Sequence, residues 1–186
     1  MDDRWILSYR LSISRMSVVR RILLIACASA PIFPFMIALQ VRLPATDAGP
    51  SLLALLAGTI FFIPAHEAIH GLVFWLYARR VAFGFKPWSA FGPVFYAASP
   101  GNCFTRRQYQ LVCIAPQFLT VLLFFLAAVL YPPDLLFVGM TYAATLNLGG
   151  GVVDIFAYSI LFRFPKDAVV EDSTDGMDVY VPVRTD

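Results

Sequence analysis

The chain has 186 residues, of which 59% are hydrophobic and 14% charged, with a mean hydropathy of +0.72. That balance excludes an ordinary soluble domain and indicates an integral membrane protein built as one domain. A net charge of only +2, with no basic run, argues against a nucleic-acid partner, and three cysteines without C-x-x-C spacing argue against a disulfide framework.

In chain order, residues 1–21 carry Arg4, Arg10, Arg15, Arg20 and Arg21 ahead of the first apolar run. With no A-x-A-like site after a short apolar core, they read as the flank of an uncleaved signal anchor. Four stretches are long enough to cross a bilayer, which needs roughly 20 apolar residues: 22–41, 51–78, 107–131 and 134–162. Pro31 and Pro34 should kink the first. The second follows Gly49-Pro50-Ser51, with Ser51 as N-cap, and ends at Arg79-Arg80. Between spans two and three, residues 81–97 predict an interfacial β-hairpin with a turn at Lys86-Pro87-Trp88-Ser89. The third span follows Thr105-Arg106-Arg107-Gln108, which has capping-box spacing. The fourth starts at Asp134 as N-cap and ends near Arg163-Phe164-Pro165. The remaining residues are acidic, with a turn signal at Asp175-Gly176 that suits a short hairpin.

The expected fold is therefore an all-α polytopic membrane protein. It has four transmembrane helices, a small interfacial β-hairpin between helices two and three, a transmembrane domain over 1–165 and a short acidic cytoplasmic tail over 166–186. Four spans put every Lys and Arg except Arg42 on one side. By the positive-inside rule that side is the cytoplasm, so the expected location is the cell membrane, multi-pass, with both termini cytoplasmic.

Away from the ends of these spans, the Asp, Glu, Lys, Arg and His residues are His66, Glu67, His70 and Asp154. Ionisable groups at bilayer depth are costly and usually functional. His66-Glu67-Ala68-Ile69-His70 is an H-E-x-x-H motif, and its two histidines are the only two in the chain. Positions i and i+4 share a helix face, so both imidazoles reach one metal ion while the glutamate acts on metal-bound water. Asp154 completes a His-His-Asp ligand set that leaves a fourth position for water. His70 precedes Arg79, and Asp154 precedes Arg163, by the same nine residues. At 1.5 Å per residue both lie roughly 13–14 Å from the flank, on spans running in the same direction.

Asn147 stands two turns before Asp154 on the same face and is a candidate substrate-binding or oxyanion-stabilising residue, or else an inter-helix hydrogen-bonding one. Gly149, Gly150 and Gly151 would let span four approach a neighbour closely and loosen it before Asp154. Pro64 should bend span two, and Gln117, beside Pro116, faces either the site or a neighbouring helix.

Two segments carry a family resemblance: His66-Glu67-Ala68-Ile69-His70-Gly71, and Asn147-Leu148-Gly149-Gly150-Gly151-Val152-Val153-Asp154. They resemble those of site-2-protease-type intramembrane metalloproteases and, more closely, of a small four-span bacterial family of zincin peptidases. The late segment is similar to N-P-x-x-x-x-D-G, with Leu148 in place of the proline and Ile155 in place of the last glycine. The resemblance implies one Zn2+ per chain held by His66, His70 and Asp154, with Glu67 as the catalytic base. It implies a zinc metalloendopeptidase that cleaves membrane-protein or peptide substrates within the lipid bilayer. The residues themselves also leave open a non-catalytic zinc-binding scaffold, which would not need Glu67, and a metal-ion carrier, which would spread its polar residues along a path.

Overall fold

The computed structural model describes residues 4–33, 35, 37, 48–89, 92–130 and 132–183. Its described elements are β1 (Trp5–Ser12), α1 (Val18–Ser29), α2 (Ala48–Ala78), β2 (Ala82–Ser89), β3 (Gly92–Ala98), β4 (Cys103–Thr105), α3 (Arg106–Leu130), α4 (Asp134–Gly150), α5 (Val152–Leu161), β5 (Val169–Ser173) and β6 (Gly176–Pro182). The strands form an antiparallel four-stranded sheet ordered β1-β6-β5-β4 and a separate antiparallel pair β2-β3.

This mixed α/β architecture overturns the all-α, four-span expectation. Three of the four strands of the larger sheet come from the expected basic flank (β1) and acidic tail (β5 and β6, the expected hairpin), and β4 comes from the segment just before α3. Trp5 pairs with Pro182, and Ser12 with Gly176. β5 and β6 bury alternate residues, as a half-buried strand should: Val170 and Asp172 on one, Met177 and Val179 on the other. With Leu11 of β1 and Phe104 of β4, the apolar members of that face pack onto Phe74 of α2, Tyr109 of α3 and Leu161 of α5 as one core cluster. The sheet is thus fastened to the helices rather than hanging from them.

The helices also depart from the expected spans. Leu55–Ala78 of α2 and the whole of α3 are long and apolar enough to cross a membrane. The stretch expected as span four is broken into α4 and α5, bent by 45°, and counts as a third crossing only if the pair acts as one span. The break falls at Gly151, which lies so close to α3 that a Cβ there would displace the Gln117 amide. Of the expected span 22–41, α1 covers the part up to Ser29, while residues 34, 36 and 38–41 lie outside the described residues. α2 begins at Ala48, ahead of Ser51, and α4 starts with Asp134 one residue after its N-cap, Pro133.

Other local signals are realised as read. The Thr105 N–H donates to Gln108 Oε1 (2.8 Å) and the Gln108 N–H to Thr105 Oγ1 (3.3 Å), closing a capping box at the start of α3. The β2–β3 hairpin forms, but β2 runs through Lys86-Pro87-Trp88 to Ser89, with a register irregularity between Lys86 and Ser89. The hairpin approaches α2 closely at Gly71, where a Cβ would displace the Phe83 ring of β2.

Candidate metal centre

α2 places His66 and His70 one turn apart, each 7% exposed. Their Nε2 atoms are 3.1 Å apart, and each is 3.3 Å from Asp154 Oδ2 in the first turn of α5. Among the described residues this is the one group of His, Cys, Asp and Glu whose candidate ligand atoms all lie within 4.8 Å of one another.

The other nitrogen of each ring decides the tautomer. Pro116 lies inside α3 and has no N–H, so the carbonyl four residues back, that of Val112, lacks its helical partner. His70 Nδ1 lies 3.0 Å from that carbonyl oxygen, which can only accept, so Nδ1 carries the proton. His66 Nδ1 lies 2.5 Å from Asn147 Oδ1. The orientation of the Asn147 amide is fixed because its Nδ2 donates to the Pro116 carbonyl and to Thr120 Oγ1, each at 2.6 Å. Oδ1 is therefore an acceptor, and His66 Nδ1 a donor.

Both Nε2 lone pairs and a carboxylate oxygen consequently face one another with no proton between them. A cation resolves that opposition. The edges of a tetrahedron with bonds of about 2.0–2.1 Å, the zinc–nitrogen and zinc–oxygen range, are about 3.3–3.4 Å, close to the spacing of these three atoms. The residues present fit a zinc ion, and the carbonyl and amide behind the rings are the outer partners such a site needs to hold its imidazoles.

Glu67 lies between the histidines in sequence but turns to a different neighbour. Its Oε2 accepts the backbone N–H of Ala97 on β3 at 2.6 Å. A cavity of about 440 Å³ opens beside it, with His66, His70, Asp154, Phe95, Asp172 and Trp88 among its walls. Both sheets therefore border the space over the metal ligands. Asp154 keeps 26% of its side chain exposed, while Asn147 keeps none.

Each residue singled out from sequence has a definite place. His66, His70 and Asp154 come together, and Glu67 borders the same cavity. Asn147 sits behind His66, with both its amide groups engaged inside the protein. Gln117 faces the α4–α5 break. Sequence reading passed over Val112, Thr120 and Asp172. Pro116 in an apolar helix was a usable signal for the first, because an internal proline frees the carbonyl four residues back. Asp172 lay in the segment read as a solvated tail.

A helix-borne histidine pair with a carboxylate from a second helix and a glutamate left off the metal is the arrangement of a zinc hydrolase. The family model described as "Putative zincin peptidase" matches residues 59–169, more than half of the chain, and the chain belongs to that family. At that level the protein is a zinc metallopeptidase, with His66, His70 and Asp154 as the group that can bind the metal. No curated protein and no solved structure matches it.

Proposed function

We propose that the protein is a membrane-embedded zinc endopeptidase of the site-2-protease type, hydrolysing peptide bonds of membrane proteins or peptides. The observation that carries this reading is the convergence of two deprotonated Nε2 atoms and Asp154 Oδ2 beside a glutamate that is not a ligand, in the wall of one cavity. Support for the membrane setting comes from the two long apolar helices and from outward faces such as Ile60, Phe61, Phe118 and Val121, each more than 60% exposed. The pairing of β1 with β6 keeps both ends of the described chain together, as an even number of crossings would.

When bound, zinc acidifies a water toward a pKa of roughly 7 and polarises a carbonyl. Glu67 supplies the base. The Ala97 N–H holds Oε2, and Oε1 takes a proton from the attacking water and returns it to the leaving amine nitrogen. Asn147 and the Val112 carbonyl keep the His66 and His70 rings turned so that Nε2 faces inward. The substrate is bound extended, since a helix hides its carbonyls. The edge of β3 away from β2 offers a point for strand addition beside the Glu67-held Ala97: the ladder alternates, so the N–H of Phe95 faces the same side as that of Ala97.

The test is purified full-length protein incubated with fluorescein-labelled β-casein. Zinc-dependent cleavage that Glu67→Gln abolishes while retaining one zinc per chain is the expected result, and equal cleavage by wild type and Glu67→Gln would sink the reading.

A further inference from the structure

Asp172 lies on β5, beyond the residues matched by the family model, and is 4% exposed. Burying a carboxylate is expensive unless its oxygens are satisfied. Here Oδ2 accepts the Ser99 backbone N–H and Oδ1 accepts the Tyr109 hydroxyl, each at 2.6 Å. Ser99 immediately follows β3, two residues after Ala97. Along a strand, N–H groups two residues apart face the same side. The side of β3 away from β2 is therefore gripped twice by carboxylates: by Asp172 at Ser99 and by Glu67 at Ala97.

These two grips have different anchors. Glu67 comes from the helix that bears the histidines, whereas Asp172 comes from the four-stranded sheet and is braced on α3 through Tyr109. Ser99 is tied a second time, its Oγ donating to the Arg80 carbonyl at 2.7 Å, so the exit of β3 is pinned from both sides. With Ser99 pinned, the Ala97 N–H has one place to be, and with it Glu67 Oε2.

We propose that Asp172 is a positioning residue for Glu67: by holding the Ser99 N–H it sets the edge of β3, and that edge sets the carboxylate of the catalytic base. The proposal rests on the peptidase reading above. It gives the four-stranded sheet an indirect part in catalysis.

The experiment is a double-mutant cycle on full-length protein, read as kcat, KM and bound zinc with fluorescein-labelled β-casein. Asp172→Ala is expected to lower kcat roughly 10- to 100-fold, the cost of displacing a catalytic group by about an ångström, with KM and zinc content within about twofold of wild type. Asp172→Asn keeps an oxygen for Ser99 and should restore most of the lost kcat. Ala97→Pro deletes the N–H that holds Glu67 without removing a bond to β2, since that N–H points away from β2. Its loss should match that of Asp172→Ala, and the double variant should be no slower than the worse single variant. Wild-type kcat in Asp172→Ala, losses that multiply in the double variant, or zinc lost together with kcat would each overturn the proposal. Ser99→Pro removes the same contact from the other side, so if Asp172→Ala does not fold, wild-type kcat in Ser99→Pro overturns it instead. An inactive Glu67→Gln beside a fully active Asp172→Ala refutes only this inference, whereas a wild type that cleaves nothing takes the peptidase reading and this inference down together.

Discussion

The Val112 carbonyl and the His70 ring form a pair across two helices: His70 Nδ1 lies 3.0 Å from an oxygen that is available because Pro116 follows four residues later. A helix defect on α3 thereby becomes the outer support of a metal ligand on α2. Pro116→Ala restores an N–H that competes for the Val112 oxygen. Zinc affinity, measured by chelator competition, should fall roughly 10-fold or more, as it does when outer partners of a zinc histidine are lost, while the melting temperature of the zinc-free protein stays level or rises. Unchanged affinity would show that His70 does not depend on this carbonyl.

Asn147 links three groups, His66, the Pro116 carbonyl and Thr120, and has no exposed surface. Asn147→Ala removes a buried hydrogen bond from each of them and leaves His66 Nδ1 without its acceptor. The expected cost is about 1–3 kcal/mol of stability for unsatisfied groups, together with a 10- to 100-fold loss of zinc affinity from a mis-set His66. Urea unfolding of the zinc-free protein separates the first effect from the second.

Stripping zinc with a chelator should abolish cleavage, and adding zinc back should restore it. Glu67→Gln should behave differently, binding zinc normally while losing about 10²–10⁴ in kcat, the usual contribution of a general base. Restored activity of the zinc-reloaded Glu67→Gln variant would remove Glu67 from the chemistry.

Burial pushes the Asp172 carboxyl up from 3.8 to about 6, against the pull of its bonds from Tyr109 and Ser99. For an acid whose folded-state pKa is raised, the stabilising contribution is complete below the unfolded pKa and is lost as pH climbs through the folded one. The window here is about pH 4 to 6, and the loss across it from this one group is on the order of 3 kcal/mol. Thermal unfolding of zinc-free protein between pH 4 and 7 should show wild type falling relative to Asp172→Asn. Parallel curves would mean that Asp172 does not titrate in that window.

The metal ligands were legible in sequence because their spacing is local and their surroundings are apolar. His66 and His70 are one turn apart, and Asp154 is the one Asp, Glu, Lys, Arg or His in residues 135–162. Of the larger sheet, the β5–β6 hairpin was legible from its Asp175-Gly176 turn signal, but the β1–β6 pairing was not, because Tyr9 meets Val179 and Arg10 meets Asp178 across nearly the whole chain. Neither strand announces the other, and the arginines of β1 look like a membrane flank when read alone. Arg10 is in fact paired with Asp178, its Nε and Nη2 each 2.7 Å from a carboxylate oxygen. The α4–α5 bend was half legible. Three glycines signalled a loosened helix, but the 45° turn and the close approach of Gly151 to Gln117 of α3 are tertiary facts.

The pairing of β1 with β6 has a consequence for the order in which the molecule matures. Closing contacts between residues so far apart is slow, and β1 finds its sheet neighbour only once residues 176–182 are in place. The contact of His70 with Asp154 spans about half that separation. Leu11 of β1 and Met177 of β6 both border the space over the metal ligands, so the wall of that space is complete only when the two ends of the described chain have met.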